Sequence, residues 1–548
     1  MSINVHKTID GRQNDMNQKI VAIDKELISF LASIGVEKAD LVDIADHGMS
    51  LEVFVERLRI IQEGVSIVPV VRPLTKDDVI SLNESPEASS EGMEISKFTP
   101  SSGAASRMFA PLVETLKSLR EGNSVPEKHE VFVFNFLMGL QNKSEHKFSF
   151  LDELGYLLLE KKGIDLQALI AEIDSAQNIE GGIKTILEYV LEEKGLNYSN
   201  KPKALIAFHT DVYGRPVTAL EEQMIDAVMY GQSKLHLTIS EEHRSWYEEV
   251  VADIKSNNNA LQDVDIKFSV QETSTDSPGL GVDGKIFRGT DGKVKFFPAG
   301  HGSLVNNLLN TPTCMIRNID NVPNPKASKE AIYNSHQKMA GVLAYFNKNL
   351  NKIFQDLSYQ RISGDKAESK LLELVNKYKL NLFMNFEEFS AANDNKKIDM
   401  LMHTLNRPFR VLGVVKNQGE PGGGPFYVTV DFIPTVSIVE KDELRTQEQV
   451  DMMDEGDFFN PVDIAFSAID IHGEAFSDLT PFVDTGRSFV VEKTDKQSGR
   501  TVRRMEHPGL WNGGIGKVNS VTVELPIETF GPVKVVNDLT GKPQHNTN

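Results

Sequence analysis

Residues 234–272, KLHLTISEEHRSWYEEVVADIKSNNNALQDVDIKFSVQE, decide the fold class. KLHLTIS and DIKFSVQE carry apolar residues at alternate positions, the period of a half-buried strand, and the intervening HRSWYEEVVADIKS reads as a helix. Strand, helix, strand in that order predicts an α/β protein with a mostly parallel sheet, because parallel neighbours need a crossover long enough to hold a helix.

Upstream, KPKALIAFHTDVYGRPVTALEEQMIDAVMYG (201–231) reads as a buried strand, a turn containing Gly214 and Pro216, and an amphipathic helix. Earlier still, FTPSSGAASRMFAPLVETLKSL (98–119) is a Ser/Gly/Ala turn entering a helix with Met108, Phe109, Leu112, Val113 and Leu116 on its apolar side. Such a loop offers free N–H groups and the positive end of the helix dipole to an anion, and Arg107 adds a full charge. An ordinary helix start with a surface arginine accounts for the same residues.

Downstream, DGKVKFFPAGHGSLVNNLLNTPTCMIRNIDNV (291–322) joins a strand-like run to a Gly-His-Gly loop and an acidic strand end. Gly300 and Gly302 allow close backbone approach to a base or phosphate, and His301 adds a switchable donor or acceptor. Cys314-Met315-Ile316 reads as a buried strand, with Asp320 near its end, where open α/β sheets hold ligands and metals. A Gly-rich hairpin turn followed by a core strand explains the same letters, so both accounts stand at this point.

The remaining chain divides by composition. Residues 1–90 read as a mainly helical N-terminal region, closed by the polar linker SLNESPEASSEGMEISKF. An α/β domain is expected over 98–440, with helical insertions near 120–198 and 326–400, followed by a mixed C-terminal region over 441–548. At 548 residues the chain is too long for one ordinary core, and 40% hydrophobic with 25% charged residues is a globular composition.

A formal net charge of −20 argues against a nucleic-acid partner, which demands a basic patch, but leaves room for small phosphorylated ligands. The single cysteine, Cys314, excludes an intrachain disulfide and a cysteine zinc cluster, and its apolar neighbours mark it as a buried structural thiol. With no apolar signal core and no eighteen-residue apolar span, a cytoplasmic protein without a membrane partner is expected.

Taken in order, these phrases resemble the nucleotidyltransferases that make UDP-sugars, the UDP-glucose and UDP-N-acetylhexosamine pyrophosphorylases. More closely, the chain resembles an uncharacterised bacterial domain-of-unknown-function family allied to them. The resemblance spans roughly 98–540 and implies a mixed, mostly parallel sheet of the nucleotide-diphospho-sugar transferase type, GT-A-like and Rossmann-like. SSGAASRMF is similar to the glycine-rich signature, which implies that Ser102, Gly103 and Ala104 wrap the nucleotide phosphates and that Arg107 is the signature arginine. In KPKAL, Lys203 matches the lysine that contacts reacting phosphates, and Gln271 in KFSVQE matches the uridine-binding glutamine.

FFPAGHGSLVNNL and NIDNV are similar to the Gly-His-Gly and Val-Asp-Asn phrases. The resemblance implies that Gly300, His301 and Gly302 border base and sugar, that Asp320 binds Mg²⁺, and that Asn321 lies beside it at the sugar. Ser303 stands where relatives often have Asp. In GEPGGGPF, Glu420, Gly422 and Gly423 fall where relatives place sugar-binding segments, although a Gly-rich turn between strands reads equally from the letters. Lys534 in FGPVKVVNDL matches a lysine that reaches the active site from the C-terminal region.

The implied activity is attack of a sugar 1-phosphate on the α-phosphate of an NTP, UTP by the resemblance, with Mg²⁺ as cofactor. Arg107, Lys203 and Lys534 form its catalytic set. Two alternatives belong to other classes: a non-catalytic nucleotide or nucleotide-sugar sensor, and a GT-A-type glycosyltransferase, for which Asp263-Val264-Asp265 is a nominal Asp-x-Asp.

Overall fold

The β-α-β reading of 234–272 is what the computed structural model contains: strand Lys234–Thr238, helix Arg244–Asn257 and strand Asp265–Ser269, the two strands parallel and in register from Lys234↔Asp265 to Thr238↔Ser269. The structure describes residues 25–64, 68–86, 94–103, 105–143, 147–229, 233–322, 329–419, 422–495 and 497–540. The chain divides into two compact units, one of Met1–Val68, Glu272–Ser303 and Asp484–Gly514, the other of Pro69–Gln271, Leu304–Val483 and Ile515–Asn548. Each unit gathers three separate segments, because strand pairing joins residues far apart in sequence.

The larger unit is built on a central sheet whose strands are labelled here β1 (Ile80–Ser81), β2 (Ser96–Pro100), β3 (Lys234–Thr238), β4 (Asp265–Ser269), β5 (Thr313–Arg317), β6 (Phe409–Lys416), β7 (Asp463–Ser467) and β8 (Asn519–Glu524). Their order is β1-β8-β6-β7-β5-β2-β3-β4. Along this path only β7 runs against its neighbours, and every other pairing is parallel. The protein is therefore an α/β protein with a mixed, mostly parallel sheet.

Two apolar layers cover this sheet. The helical stretch expected over 120–198 supplies Leu154, Ile170, Ile186 and Leu187 to one, packed with Leu235 and Leu237 of β3. Helices Lys329–Ser358, Gly364–Tyr378 and Asp394–Leu405 supply Leu343, Phe346, Leu371 and Leu401 to the other, packed with Val411, Ala465 and Val521. The periodicity over 98–119 forms helix α1 (Ala110–Arg120), started by Pro111 in its first turn. Its buried face is Leu112, Leu116 and Leu119; Val113, expected on that face, is 42% exposed because it stands one position off the i, i+4, i+7 row.

The smaller unit packs helices Lys25–Ser33, Asp40–Asp46 and Leu51–Glu63 with an antiparallel sheet in the order Phe489–Thr494, Thr501–Glu506, Ser277–Gly281, Phe296–Phe297. Ser50 caps the third helix, accepting from Val53 N–H, and Phe54, Val55, Leu58 and Ile61 form its apolar face against Leu280 and Met505. Between residues 25 and 64 the chain thus forms three helices joined by turns, and beyond them Val70–Pro73 and Ile80–Ser81 are strands. Residues 1–24, also expected to be helical, lie outside the described residues.

Candidate functional site

Chain order along the central sheet locates the site. From β2 the chain steps to β3 and then β4 on one side, and it later returns to lay β5 on the other side of β2. The connections leaving β2 and β5 therefore diverge at their C-terminal ends, the place where open α/β sheets bind ligands. The segment after β2 is Ser101–Arg107, and the turn after β5 carries Asp320.

The loop after β2 is anchored at its root. Ser101 N–H donates to Thr238 O at 2.9 Å, and the Tyr247 hydroxyl donates to Ser101 O at 2.7 Å. Further along, Lys203 N–H donates to Gly103 O at 3.2 Å and Ala105 N–H donates to Lys201 O at 3.4 Å, which brings the KPKAL segment against the loop. Met108 O accepts from Val536 N–H at 3.2 Å, so the C-terminal segment joins the same place. A Cβ at Gly103 would meet nothing within 4 Å, and Arg107 is exposed. Ala104 lies outside the described residues.

At the end of β5 three charged side chains meet. Lys203 Nζ donates to Asp320 Oδ2 at 2.9 Å, and Lys534 Nζ donates to the same oxygen at 3.4 Å. Lys203 Nζ also donates to Val533 O. The Lys203 and Asp320 side chains are 14% and 12% exposed, whereas Lys534 is 45% exposed. Burial works against the charge on Asp320, but Lys203 and Lys534 outweigh it and hold the carboxyl below the ordinary carboxylate range. Burial also draws the Lys203 ammonium below the usual lysine range, against the opposing pull of Asp320.

Two short segments are zipped together behind this group. Val533 N–H donates to Asp320 O at 2.9 Å and Val322 N–H donates to Gly531 O at 3.1 Å. The Asn321 side chain uses both ends, accepting from Gly531 N–H at 2.9 Å and donating to Pro461 O at 3.1 Å. The amide of Asn321, next to Asp320 in the chain, is thus engaged in tying backbone segments. Asp538 accepts from the backbone N–H groups of Lys534 and Val535 at 2.7 and 2.8 Å, turning the chain so that Lys534 faces Asp320.

Gln271 is half-buried just beyond β4, the edge strand, with β3 intervening between that strand and β2. Gly300, His301 and Gly302 belong to the smaller unit. There His301 stacks on Trp511 with ring centroids 4.2 Å apart, and its Nδ1 accepts from Leu510 N–H at 2.9 Å, which puts the proton of a neutral ring on Nε2. Gly300 has a φ of +78°, and a Cβ at Gly302 would lie 2.0 Å from Pro508 O, so both glycines answer a backbone demand within that unit.

Gly422 and Gly423 sit at the start of strand Gly423–Val430 in a separate three-stranded sheet with Val70–Pro73 and Ile433–Glu440. Their missing Cβ atoms make room for Phe459 and Ile438. Glu420 lies outside the described residues. Cys314 is fully buried, and burial pushes its thiol far up from the ordinary range, which leaves it an inert core group.

Sequence reading missed Arg317, which is wholly buried at the end of β5. Its signal was an arginine closing the otherwise apolar CMI run, a position that a charge occupies only with partners. Among the described residues no group of three or more His, Cys, Asp or Glu side chains could hold a metal ion. Mg²⁺ is commonly bound through one or two carboxylates with substrate phosphates and water completing the shell, and Asp320 fits that limited role. Its Oδ2 takes both lysines, and Oδ1 takes no hydrogen bond from a described residue.

Fold and site together define an open α/β protein with two lysines and a carboxylate gathered at its switch point. The chain belongs to the family described as Domain of unknown function (DUF4301), whose model matches residues 37–546. No curated protein matches it in sequence. Among solved structures it is similar to UDP-glucose phosphorylase from Trypanosoma brucei, at 13% identity over 91% of this chain and 77% of that one, with a TM-score of 0.40. It is similar also to a point mutant of UDP-glucose pyrophosphorylase from Leishmania major in complex with UDP-Glc, at 11% identity over 92% and 77%, with a TM-score of 0.44. UDP-N-acetylglucosamine pyrophosphorylase from Trypanosoma brucei in complex with an inhibitor is a third, at 12% identity over 75% and 81%, with a TM-score of 0.35. Among the described residues no helix is long and apolar enough to cross a membrane.

Proposed function

We propose that the chain is a sugar-1-phosphate nucleotidyltransferase, converting an NTP and a sugar 1-phosphate to an NDP-sugar and pyrophosphate. The observation that carries this is the meeting of Lys203, Lys534 and Asp320 on one carboxylate oxygen at the C-terminal end of β5, beside the loop that follows β2. The reaction needs what such a group offers. An oxygen of the sugar phosphate forms a bond to the α-phosphorus as the bond to the bridging oxygen of pyrophosphate breaks, and the leaving group takes that electron pair. Catalysis is then mainly positioning and neutralisation of charge on phosphoryl oxygens.

In this scheme Lys203 and Lys534 bind phosphoryl oxygens, the loop Ser101–Arg107 orients the triphosphate, and the exposed Arg107 meets it from the solvent side. Asp320, joined by substrate oxygens, would hold Mg²⁺, which when bound supplies further neutralisation of the phosphates. The attacking phosphate is already anionic at neutral pH, so no general base is required. The glycosyltransferase alternative relies on Asp263 and Asp265, and Asp265 opens β4 at the N-terminal end of the parallel strands, whereas the loops just described leave their C-terminal ends.

The deciding experiment incubates pure protein and Mg²⁺ with each NTP against a panel of sugar 1-phosphates and follows pyrophosphate. Release that requires both substrates is expected. Nucleotide binding by calorimetry with no release from any pair identifies the sensor instead, and in a parallel incubation with UDP-sugars the formation of UDP identifies a glycosyltransferase.

A further inference from the structure

We infer that Arg317 is the positioning residue of this site, holding the Asp320 turn and the Lys534 segment in one register; the role rests on the function proposed above. Arg317 has no exposed surface, and burying a guanidinium is tolerable only where its donors and its charge are both answered. Its Nε donates to Asn321 O at 3.1 Å and its Nη2 donates to Thr529 O at 2.9 Å. One planar group thus takes hold of both segments of the zipper, one hydrogen bond to each.

Behind it the charge is balanced by acids that take no part in the lysine cluster. Nε lies 3.6 Å from Asp463 Oδ1 and Nη1 lies 3.9 Å from Asp226 Oδ2, both carboxylates being buried. Asp226 is held in turn by Lys97 Nζ at 2.5 Å, and Nη1 also approaches His336 Nε2 at 3.4 Å. The guanidinium is therefore held from the core side by Asp463 of β7 and by Asp226 and His336 of two helices, and it passes that position to the two segments in front of it.

What it positions follows from the zipper. Asn321 and Pro532 pair as an isolated antiparallel bridge, Val533 N–H holds Asp320 O, and Val533 O receives Lys203 Nζ. A shift of the Thr529–Val533 strip relative to the Asp320 turn moves Lys534 away from Asp320 and withdraws one partner of Lys203. Displacements of about 1 Å in such groups lower rates by about a hundredfold. Lysine at this position keeps the charge but has no planar fork, so it cannot make both bonds in the same geometry.

The test compares wild type with Arg317→Lys and Arg317→Met, the lysine variant being the one that keeps the buried charge if the methionine variant does not fold. Hydrogen exchange is read at the amides of Val322, Gly531 and Val533, with the amides of β3 as reference. Exchange at the three amides at least about tenfold faster in Arg317→Lys, with β3 unchanged, is expected for a local loss of the clamp. A double-mutant cycle then measures binding of inorganic pyrophosphate. Arg317→Lys and Lys534→Ala should be strongly non-additive, the double variant binding no worse than the weaker single one, whereas Arg317→Lys and Arg107→Ala should add.

Additive effects of Arg317→Lys with Lys534→Ala, or unchanged exchange at the three amides, overturn the positioning role. Wild-type protein that shows the Arg317-dependent exchange but neither binds nor releases pyrophosphate overturns the proposed function and leaves the exchange result standing.

Discussion

The ammonium of Lys203 lies 2.9 Å from Asp320 Oδ2, and the two side chains are 14% and 12% exposed. A pair so far out of water differs in kind from the surface ion pairs of this chain, which contribute roughly 0–1 kcal/mol. Removing one partner of a buried pair leaves an uncompensated charge and costs about 3–5 kcal/mol, less here because Lys534 still faces Asp320. Lys203→Ala should lower pyrophosphate-forming turnover by roughly 10² to 10³, the scale for losing one charge-stabilising donor. Steady-state rates at saturating substrates check this, and turnover near that of wild type removes Lys203 from the chemistry.

Asp320 is the counter-ion of Lys203 and Lys534, a place that a substrate phosphate would take under the proposed function. Asp320→Asn frees two ammonium groups from an internal anion, so in EDTA the variant should bind inorganic pyrophosphate more tightly than wild type, by about tenfold or roughly 1.4 kcal/mol. In the presence of Mg²⁺ the order should reverse, because the carboxylate that would share the cation is gone, and metal-dependent turnover should disappear with it. Calorimetry with and without Mg²⁺ separates the two effects. Weaker binding of pyrophosphate to the variant in EDTA contradicts the counter-ion role, and full metal-dependent activity removes Asp320 from the metal.

Lys534 is 45% exposed and reaches Asp320 at 3.4 Å, so water screens much of its charge. Its loss should be milder than that of Lys203. Lys534→Ala should reduce turnover by roughly tenfold and leave the melting temperature within about 1 °C of wild type, since solvated side chains contribute little to stability. A loss as deep as that of Lys203→Ala would show that Lys534 bears on the reacting phosphate more directly than this geometry suggests.

Much of the sheet was legible because its signals are local. Alternation in KLHLTIS and DIKFSVQE fixed two strands, and the apolar Cys314-Met315-Ile316 fixed a third with Asp320 just beyond it. Lys203, Asp320 and Lys534 stand 117 and 214 residues from one another in the two pairings, so no local pattern joins them; only the resemblance to a family set them in one group. Arg317 escaped because its partners, Asn321 O, Thr529 O, Asp463 and Asp226, come from four parts of the chain. The glycines of Gly-His-Gly mark a demand on the backbone without naming its source. Flexible backbone and crowded backbone both select glycine, and the letters do not say what does the crowding.

At Gly302 the crowding atom is Pro508 O, 2.0 Å from where a Cβ would sit, with His507 Cβ at 2.9 Å. A backbone carbonyl cannot swing aside as a flexible side chain does, so Gly302→Ala should destabilise the fold by about 1–3 kcal/mol, the range for overpacking. Gly103→Ala, where a Cβ meets nothing within 4 Å, should change stability by less than about 0.5 kcal/mol. Any effect of the second change should instead appear in triphosphate binding. Chemical denaturation of the two variants side by side checks the contrast, and equal midpoints would deny the packing account of Gly302.

The response to acid should be governed partly by histidines that the fold keeps neutral. Burial, with a smaller push from Lys267, lowers His236 from 6.5 to about 4, and its ring lies between two hydroxyls, Ser269 Oγ at 2.7 Å from Nε2 and Thr311 Oγ1 at 3.2 Å from Nδ1. Burial likewise lowers His507 to about 4, with Arg57 adding to the effect. Between the folded and unfolded values the unfolded chain binds more protons, so stability rises with pH across that window. The contribution is complete above about pH 6.5 and is lost progressively as pH falls towards 4. For His236 it amounts to on the order of 3 kcal/mol at most, since each tenfold difference in proton affinity between the folded and unfolded chain is worth about 1.4 kcal/mol. His236→Gln keeps a donor and an acceptor for the two hydroxyls but cannot titrate. Its urea midpoint should therefore fall less steeply than that of wild type between pH 6.5 and pH 4, and parallel slopes for the two proteins would show that His236 is not among the groups whose protonation unfolds the chain.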